Sequence, residues 1–184
     1  MDLEIDIEKN ILSVAEFVKA HAAKLSIPLP KIAFEPGRSI VADAGMTLYT
    51  VGTVKRIPGY KTYVSVDGGM TDNPRFALYG SKYTVLPAIS SDDDELESVS
   101  VVGRCCESGD IIQNDVLLPR VMKRGDLIAT LTTGAYNYSM ASNYNRLPRA
   151  AVVMLNEGES YLAVRRETPE DVASLDVIGG KRSE

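Results

Sequence analysis

The sequence predicts an α+β fold: one βα unit of the α/β-barrel kind, then a mainly antiparallel β-domain of barrel or sandwich type. Three observations carry this. Apolar residues recur at helical spacing from Ile7 to Leu25. A short apolar run, Ile32-Ala33-Phe34, then leads through Glu35-Pro36-Gly37-Arg38 into a second helical stretch. Beyond Gly45 the helical period disappears, and β-branched and aromatic runs alternate with turn residues.

The first helix places Ile7, Ile11, Val14, Ala15, Val18, Ala22 and Leu25 on one face, opposite Glu8, Lys9, Glu16, Lys19 and Lys24. Asp6 is its predicted N-cap, and Pro28 and Pro30 limit its end. Ile32–Phe34 reads as a strand, and Ser39 caps a short helix reaching about Ala44. Helix, strand, tight turn and helix match the repeat of an α/β barrel. Strands are then expected at 48–57, 62–66, 83–88, 96–102 and 127–132, with Pro58-Gly59 and Arg124-Gly125-Asp126 as turns. A hairpin joins 150–155 to 161–164 across Asn156–Glu159, and Pro169-Glu170-Asp171 opens a short closing helix. Ser90 to Glu97, rich in acids, reads as a solvated loop, and Gly179 to Glu184 as a frayed tail. The expected domains are 1–45 and 46–184. A lone βα unit exposes its strand edges and cannot bury both faces of a parallel sheet. The organisation therefore reads as a chain lacking the start of a barrel.

Composition narrows the function classes. The 184 residues carry a net charge of −5, with 45% hydrophobic and 24% charged residues, as in an ordinary globular protein. An acidic balance argues against a nucleic-acid footprint. No apolar run approaches a membrane span, and Met1-Asp2-Leu3-Glu4 lacks a signal-peptide pattern, so a cytoplasmic protein is expected. Cys105 and Cys106 are adjacent, have no other thiol as partner and show no zinc spacing, so no metal site is expected.

Four stretches could carry chemistry. In Glu35-Pro36-Gly37-Arg38, Gly37 permits close backbone approach to a ligand, and Arg38 offers a forked donor for phosphate or carboxylate; an ordinary strand-to-helix turn reads the same way. In Cys106-Glu107-Ser108-Gly109-Asp110 a thiol sits beside acids, which suits a thiol that stays protonated and donates; a small residue before a Gly-Asp turn is the plain alternative. Tyr136, in Gly134-Ala135-Tyr136-Asn137-Tyr138, follows a strand and offers a hydroxyl to a phosphate, or merely packs. Arg75 and Tyr79 lie four apart and share a face only if that segment is helical despite Pro74.

Taken in order, EPGR at 35–38, VDGGM at 66–70, RFALY at 75–79, CESGD at 106–110 and GAYNYSMASNYN at 134–145 closely resemble the C-terminal half of the diaminopimelate decarboxylases. These are pyridoxal-phosphate (PLP) enzymes of the alanine-racemase-like fold family. The resemblance runs from about Ile32 to Asp176, and makes the first 45 residues the last βα unit of a (β/α)8 barrel. It implies that Glu35 faces the pyridine nitrogen of PLP, and that Gly37, Arg38 and Tyr136 bind at its phosphate end. It implies that Arg38, Arg75, Tyr79 and Tyr136 hold the substrate, with Glu107 on its remote ammonium. Cys106 is the implied proton donor to the carbon that loses CO2. Cys106 and Glu107 are expected to enter the partner subunit's site in a homodimer.

The departures are as informative. The family's Schiff-base lysine, its ring-stacking histidine and its glycine-rich phosphate loop have no counterpart in these residues, and His21 lies on the amphipathic helix in a surface or packing role. The resemblance thus implies conversion of meso-2,6-diaminopimelate to L-lysine and CO2 only together with the half that holds the lysine, and no turnover by these residues alone. The alternatives are a non-catalytic β-domain for dimerisation or partner binding, and a decarboxylase of a related diamino acid.

Overall fold

A computed structural model describes residues 6–89, 95–177 and 179. The chain forms two compact units, Met1–Ile40 and Val41–Glu184.

In the first unit, helix α1 spans Ile7–Leu25. Asp6 caps it, its carboxylate accepting the Lys9 N–H at 2.8 Å. Ser26, left-handed at φ 53°, ends it, and the Ile27 N–H returns to the Ala22 carbonyl at 3.1 Å. The stop therefore comes before Pro28. His21 stacks on Phe17 with ring centroids 3.9 Å apart, a packing role. Two expectations need correction. Ile32–Phe34 forms no strand, and α2 is a single turn over Arg38–Val41, shorter than the helix expected from Ser39 to Ala44. A parallel strand is completed by neighbours on both sides, and none is present among the described residues.

The second unit is built on a six-stranded sheet. Its strands are β1 (Thr47–Ile57), β2 (Lys61–Val66), β3 (Val85–Pro87), β4 (Leu96–Val102), β5 (Ile111–Pro119) and β6 (Leu127–Thr130). The order is β3-β6-β1-β2-β4-β5, antiparallel at every junction except the parallel β2–β4 pair. The sheet curls until its edges meet: the Tyr83 N–H, just before β3, donates to Gln113 Oε1 on β5 at 2.9 Å. This is the predicted mainly antiparallel, barrel-like domain. Its inside holds Val51, Val64, Val101, Ile112, Leu118 and Ile128, each almost fully buried. Each such side chain contributes roughly 1.5–3 kcal/mol of transfer free energy.

Strand β5 was not expected from the sequence. Asn114-Asp115 interrupts its apolar run, and Asp115 adopts φ 56°, so a kink inside a strand imitates a turn. The hairpin of β7 (Val152–Asn156) and β8 (Glu159–Val164) turns through Glu157 and Gly158, at φ 49° and 85°. Two positive φ values in a two-residue loop are the I′ geometry that matches strand twist. Helix α4 (Pro169–Ala173) opens with the reciprocal Thr168–Asp171 capping box. Of the acidic loop expected at 90–97, Leu96 and Glu97 belong to β4, and 90–94 lie outside the described residues, as do 180–184 of the expected tail.

Candidate functional site

The loop after β2 and the loop after β4 interlock through one buried carboxylate. Asp110 accepts the Met70 N–H and the Cys105 N–H, each at 2.6 Å. A Cβ on Gly103 would fall 2.2 Å from its Oδ2, and one on Gly69 would fall 2.6 Å from its Oδ1. A Cβ on Gly68 would meet the Tyr49 ring at 2.2 Å. The glycines of VDGGM and the aspartate of CESGD are thus one structural device, which sets where the next residues go.

On one side it sets helix α3 (Arg75–Tyr79), with Pro74 at the N-cap, where a missing N–H costs nothing, and Gly80 closing it at φ 63°. Helical spacing puts Arg75 and Tyr79 on one face. The Arg75 guanidinium lies 5.0 Å from the Tyr79 ring centroid and 5.4 Å from that of Tyr136. Arg75 Nη1 is 3.9 Å from Met140 Sδ, and Arg75 Nε is buried without a hydrogen bond among the described residues. Tyr136 reaches this position from a left-handed backbone at φ 67°. Gly134 precedes it because a Cβ there would sit 1.9 Å from the Val41 carbonyl. The half-buried Arg75 side chain thus stands by both tyrosine rings.

On the other side stands the acid–thiol loop. Cys106 and Glu107 are exposed. The Cys106 N–H donates to Asn145 Oδ1 at 2.9 Å. Glu107 accepts the Gly109 N–H at 3.1 Å, the Ser108 hydroxyl at 3.2 Å and the Tyr144 hydroxyl at 3.4 Å. The Gly109 N–H above all, then Ser108, holds the Glu107 carboxyl below its ordinary range, so it stays ionised and can receive a cation. Burial and the Asp110 carboxylate push the Cys105 thiol up to about 11. Lys55, Tyr63, Ser65, Cys105 and Glu107 line an open concavity of about 460 Å³ beside the loop.

The structure therefore brings Arg75, Tyr79 and Tyr136 together, and puts Cys106 and Glu107 on one loop. Glu35, exposed, and Gly37 and Arg38, half-buried, lie in the first unit. Sequence reading missed Asp110 as the fastener, and missed Asn145 and Tyr144 as partners of the loop. The last two lie inside the GAYNYSMASNYN stretch, and an Asn flanked by polar residues is a usual occupant of left-handed backbone. Among the described residues no cluster of three or more His, Cys, Asp or Glu could hold a metal, and no helix is long and apolar enough to cross a membrane.

A curled sheet that sets an arginine by two tyrosine rings, and an exposed thiol beside an acid, defines the class of domain. Comparison with known proteins gives that class its family. The family model described as "Pyridoxal-dependent decarboxylase, C-terminal sheet domain" matches residues 12–134. Diaminopimelate decarboxylase of Bacillus subtilis is 52% identical over 164 residues, covering 89% of this chain and 37% of the relative. That of Staphylococcus aureus is 46% identical over 167 residues, covering 91% and 39%. The crystal structure of diaminopimelate decarboxylase from M. jannaschii in co-complex with L-lysine matches with a TM-score of 0.82 and 33% identity, over 97% of this chain and 40% of that one. The chain belongs to the pyridoxal-dependent decarboxylases, in the family of their C-terminal sheet domain. It spans well under half the length of the relatives it matches.

Proposed function

We propose that this chain is the substrate-gripping and proton-donating part of a PLP-dependent carboxy-lyase that converts meso-2,6-diaminopimelate to L-lysine and CO2, a step of lysine biosynthesis in the cytoplasm. The observation that supports the reading is the Arg75 clamp, whose half-buried side chain stands by the Tyr79 and Tyr136 rings. A carboxylate remote from the reacting carbon would pair with its guanidinium. A diamino acid without that carboxylate would leave it unpaired, which is how a polar site discriminates most strongly. Glu107, ionised and exposed, receives the remote ammonium; a carboxylate has lone pairs beyond the three donors it already accepts.

The donor set fits the cofactor. Glu35, Gly37 and Arg38 put a carboxylate, a glycine backbone and a guanidinium within four residues, suited to a pyridinium nitrogen and a phosphate. The family resemblance would also give Tyr136, in the second unit, a phosphate-binding hydroxyl; its ring lies by Arg75. When bound, PLP supplies an electron sink for the carbon that loses CO2. The Cys106 thiol delivers its proton to that carbon from Sγ, and its exposure on a loop fits a site shared across a homodimer. Arg75 and Glu107 meanwhile hold the far end of the substrate fixed, so the proton arrives at one face.

No lysine here stands in the context of the family's Schiff-base residue, so the 184 residues alone are expected to turn over nothing. Release of CO2 and formation of lysine should be restored when a barrel half bearing that lysine is supplied by a relative. Failure to restore turnover in a well-folded complex that binds PLP would contradict the reading and favour a non-catalytic dimerisation or binding domain.

A further inference from the structure

The acid–thiol loop is held from outside its own motif. Within the loop, the Cys105 N–H is fixed by Asp110 and the Glu107 N–H turns back to the Cys105 carbonyl at 2.8 Å. The amide between them, that of Cys106, is taken by Asn145 Oδ1. Asn145 occupies the left-handed region at φ 53° and ψ 21°, and Arg146 follows at φ 59°. Two successive non-glycine residues in this region are strained, and such strain persists only where surroundings over-determine it. Here they do. Asn143 Nδ2 donates to the Leu147 carbonyl at 3.0 Å and to Glu167 Oε2 at 2.7 Å, while Arg146 pairs with Asp176. Glu167 is itself gripped by Arg149 at 2.5 Å. The strained turn thus aims one amide oxygen at Cys106 and one phenol, that of Tyr144, at Glu107. The same stretch carries Met140 to Arg75, and its Ser142 N–H binds the Thr71 carbonyl at 2.9 Å.

We propose that Asn145 is a positioning residue that fixes the Cys106 backbone for proton delivery, and that Tyr144 orients Glu107 toward the substrate's remote ammonium. The proposal rests on the decarboxylase reading for its consequence, while the contact can be tested without it. Asn145 works through the peptide that carries the thiol. Losing its oxygen frees that peptide to rotate, and a displacement of about 1 Å at a reacting group costs on the order of a hundredfold in rate.

The test has two readouts. In the 184-residue chain labelled with 15N-cysteine, amide hydrogen exchange at Cys106 should accelerate about tenfold in Asn145→Ala and Asn145→Gly, the latter keeping the turn without the acceptor. Asn145→Asp, which keeps an acceptor, should stay near the parent, and the Cys105 amide, bound to Asp110, should not change in any variant. In the complex with the lysine-bearing barrel half, Asn145→Ala should lower kcat by about tenfold or more with KM little changed, and Asn145→Asp should recover most of it. Tyr144→Phe should raise KM and spare kcat. Unchanged Cys106 exchange in both Ala and Gly variants, or equal acceleration at both cysteines, would overturn the proposal. Faster Cys106 exchange in the variants, together with a parent complex that turns over nothing, would uphold the contact and overturn the decarboxylase reading instead.

Discussion

The Arg75 clamp and the Cys106–Glu107 loop achieve opposite things with one fastener between them. In the clamp, side chains hold a side chain: a guanidinium lies by two tyrosine rings, with Nε buried and unsatisfied. In the loop, backbone is what is held, by Asp110 and Asn145, and the thiol and carboxylate stand exposed. Under the proposed function the clamp takes a carboxylate and the loop an ammonium, and Asp110 sets the loops on which both stand.

Removing the fastener should have the largest effect. Asp110→Ala deletes a buried carboxylate that accepts two N–H groups, and we expect a loss of about 3 kcal/mol in urea unfolding. Asp110→Asn should cost less, because one acceptor remains. A change under about 0.5 kcal/mol, the range of ordinary surface substitutions, would mean that the two loops are not joined there.

Next comes the clamp alone. Arg75→Met removes the seat for the anion without leaving a buried charge, so stability should move little while KM for diaminopimelate in the complex rises by about 10². A matching loss of stability would show that Arg75 is a packing residue.

The smallest expected effect concerns the support of the 143–146 turn. Glu167 is held down to about 2 by the Arg149 guanidinium and N–H. Its folded value lies below its unfolded one, so its contribution is full above about pH 4.5 and lost as pH falls toward 2. Glu167→Gln should therefore melt lower than the parent at neutral pH, with the gap closing through that window. A gap independent of pH would assign the effect to packing.

These contrasts also mark what the sequence made legible. Helix α1 was readable to its ends because Asp6 and the apolar period are local signals. The closing hairpin was readable because Glu157-Gly158 is local turn chemistry. Strand β5 was hidden by Asn114-Asp115, whose left-handed kink imitates a chain reversal. Ile32–Phe34 misled for the converse reason: its composition suits a strand, but a strand is a property of its neighbours. Arg75 and Tyr79 were legible only as a spacing that shares a face if the segment is helical, and α3 supplies that helix. Asp110 and Asn145 were not, since each acts on the backbone of residues 5 and 39 positions away. No pattern within either stretch announces such a contact.

The central claim is that Cys106 carries the proton. It is tested most directly by kcat of Cys106→Ala in the complex with the lysine-bearing barrel half, with PLP absorbance followed in the same sample. The exposed position predicts unchanged folding and cofactor binding, with kcat lower by about 10²–10⁴, the usual contribution of a positioned acid. Turnover within twofold of the parent would contradict it.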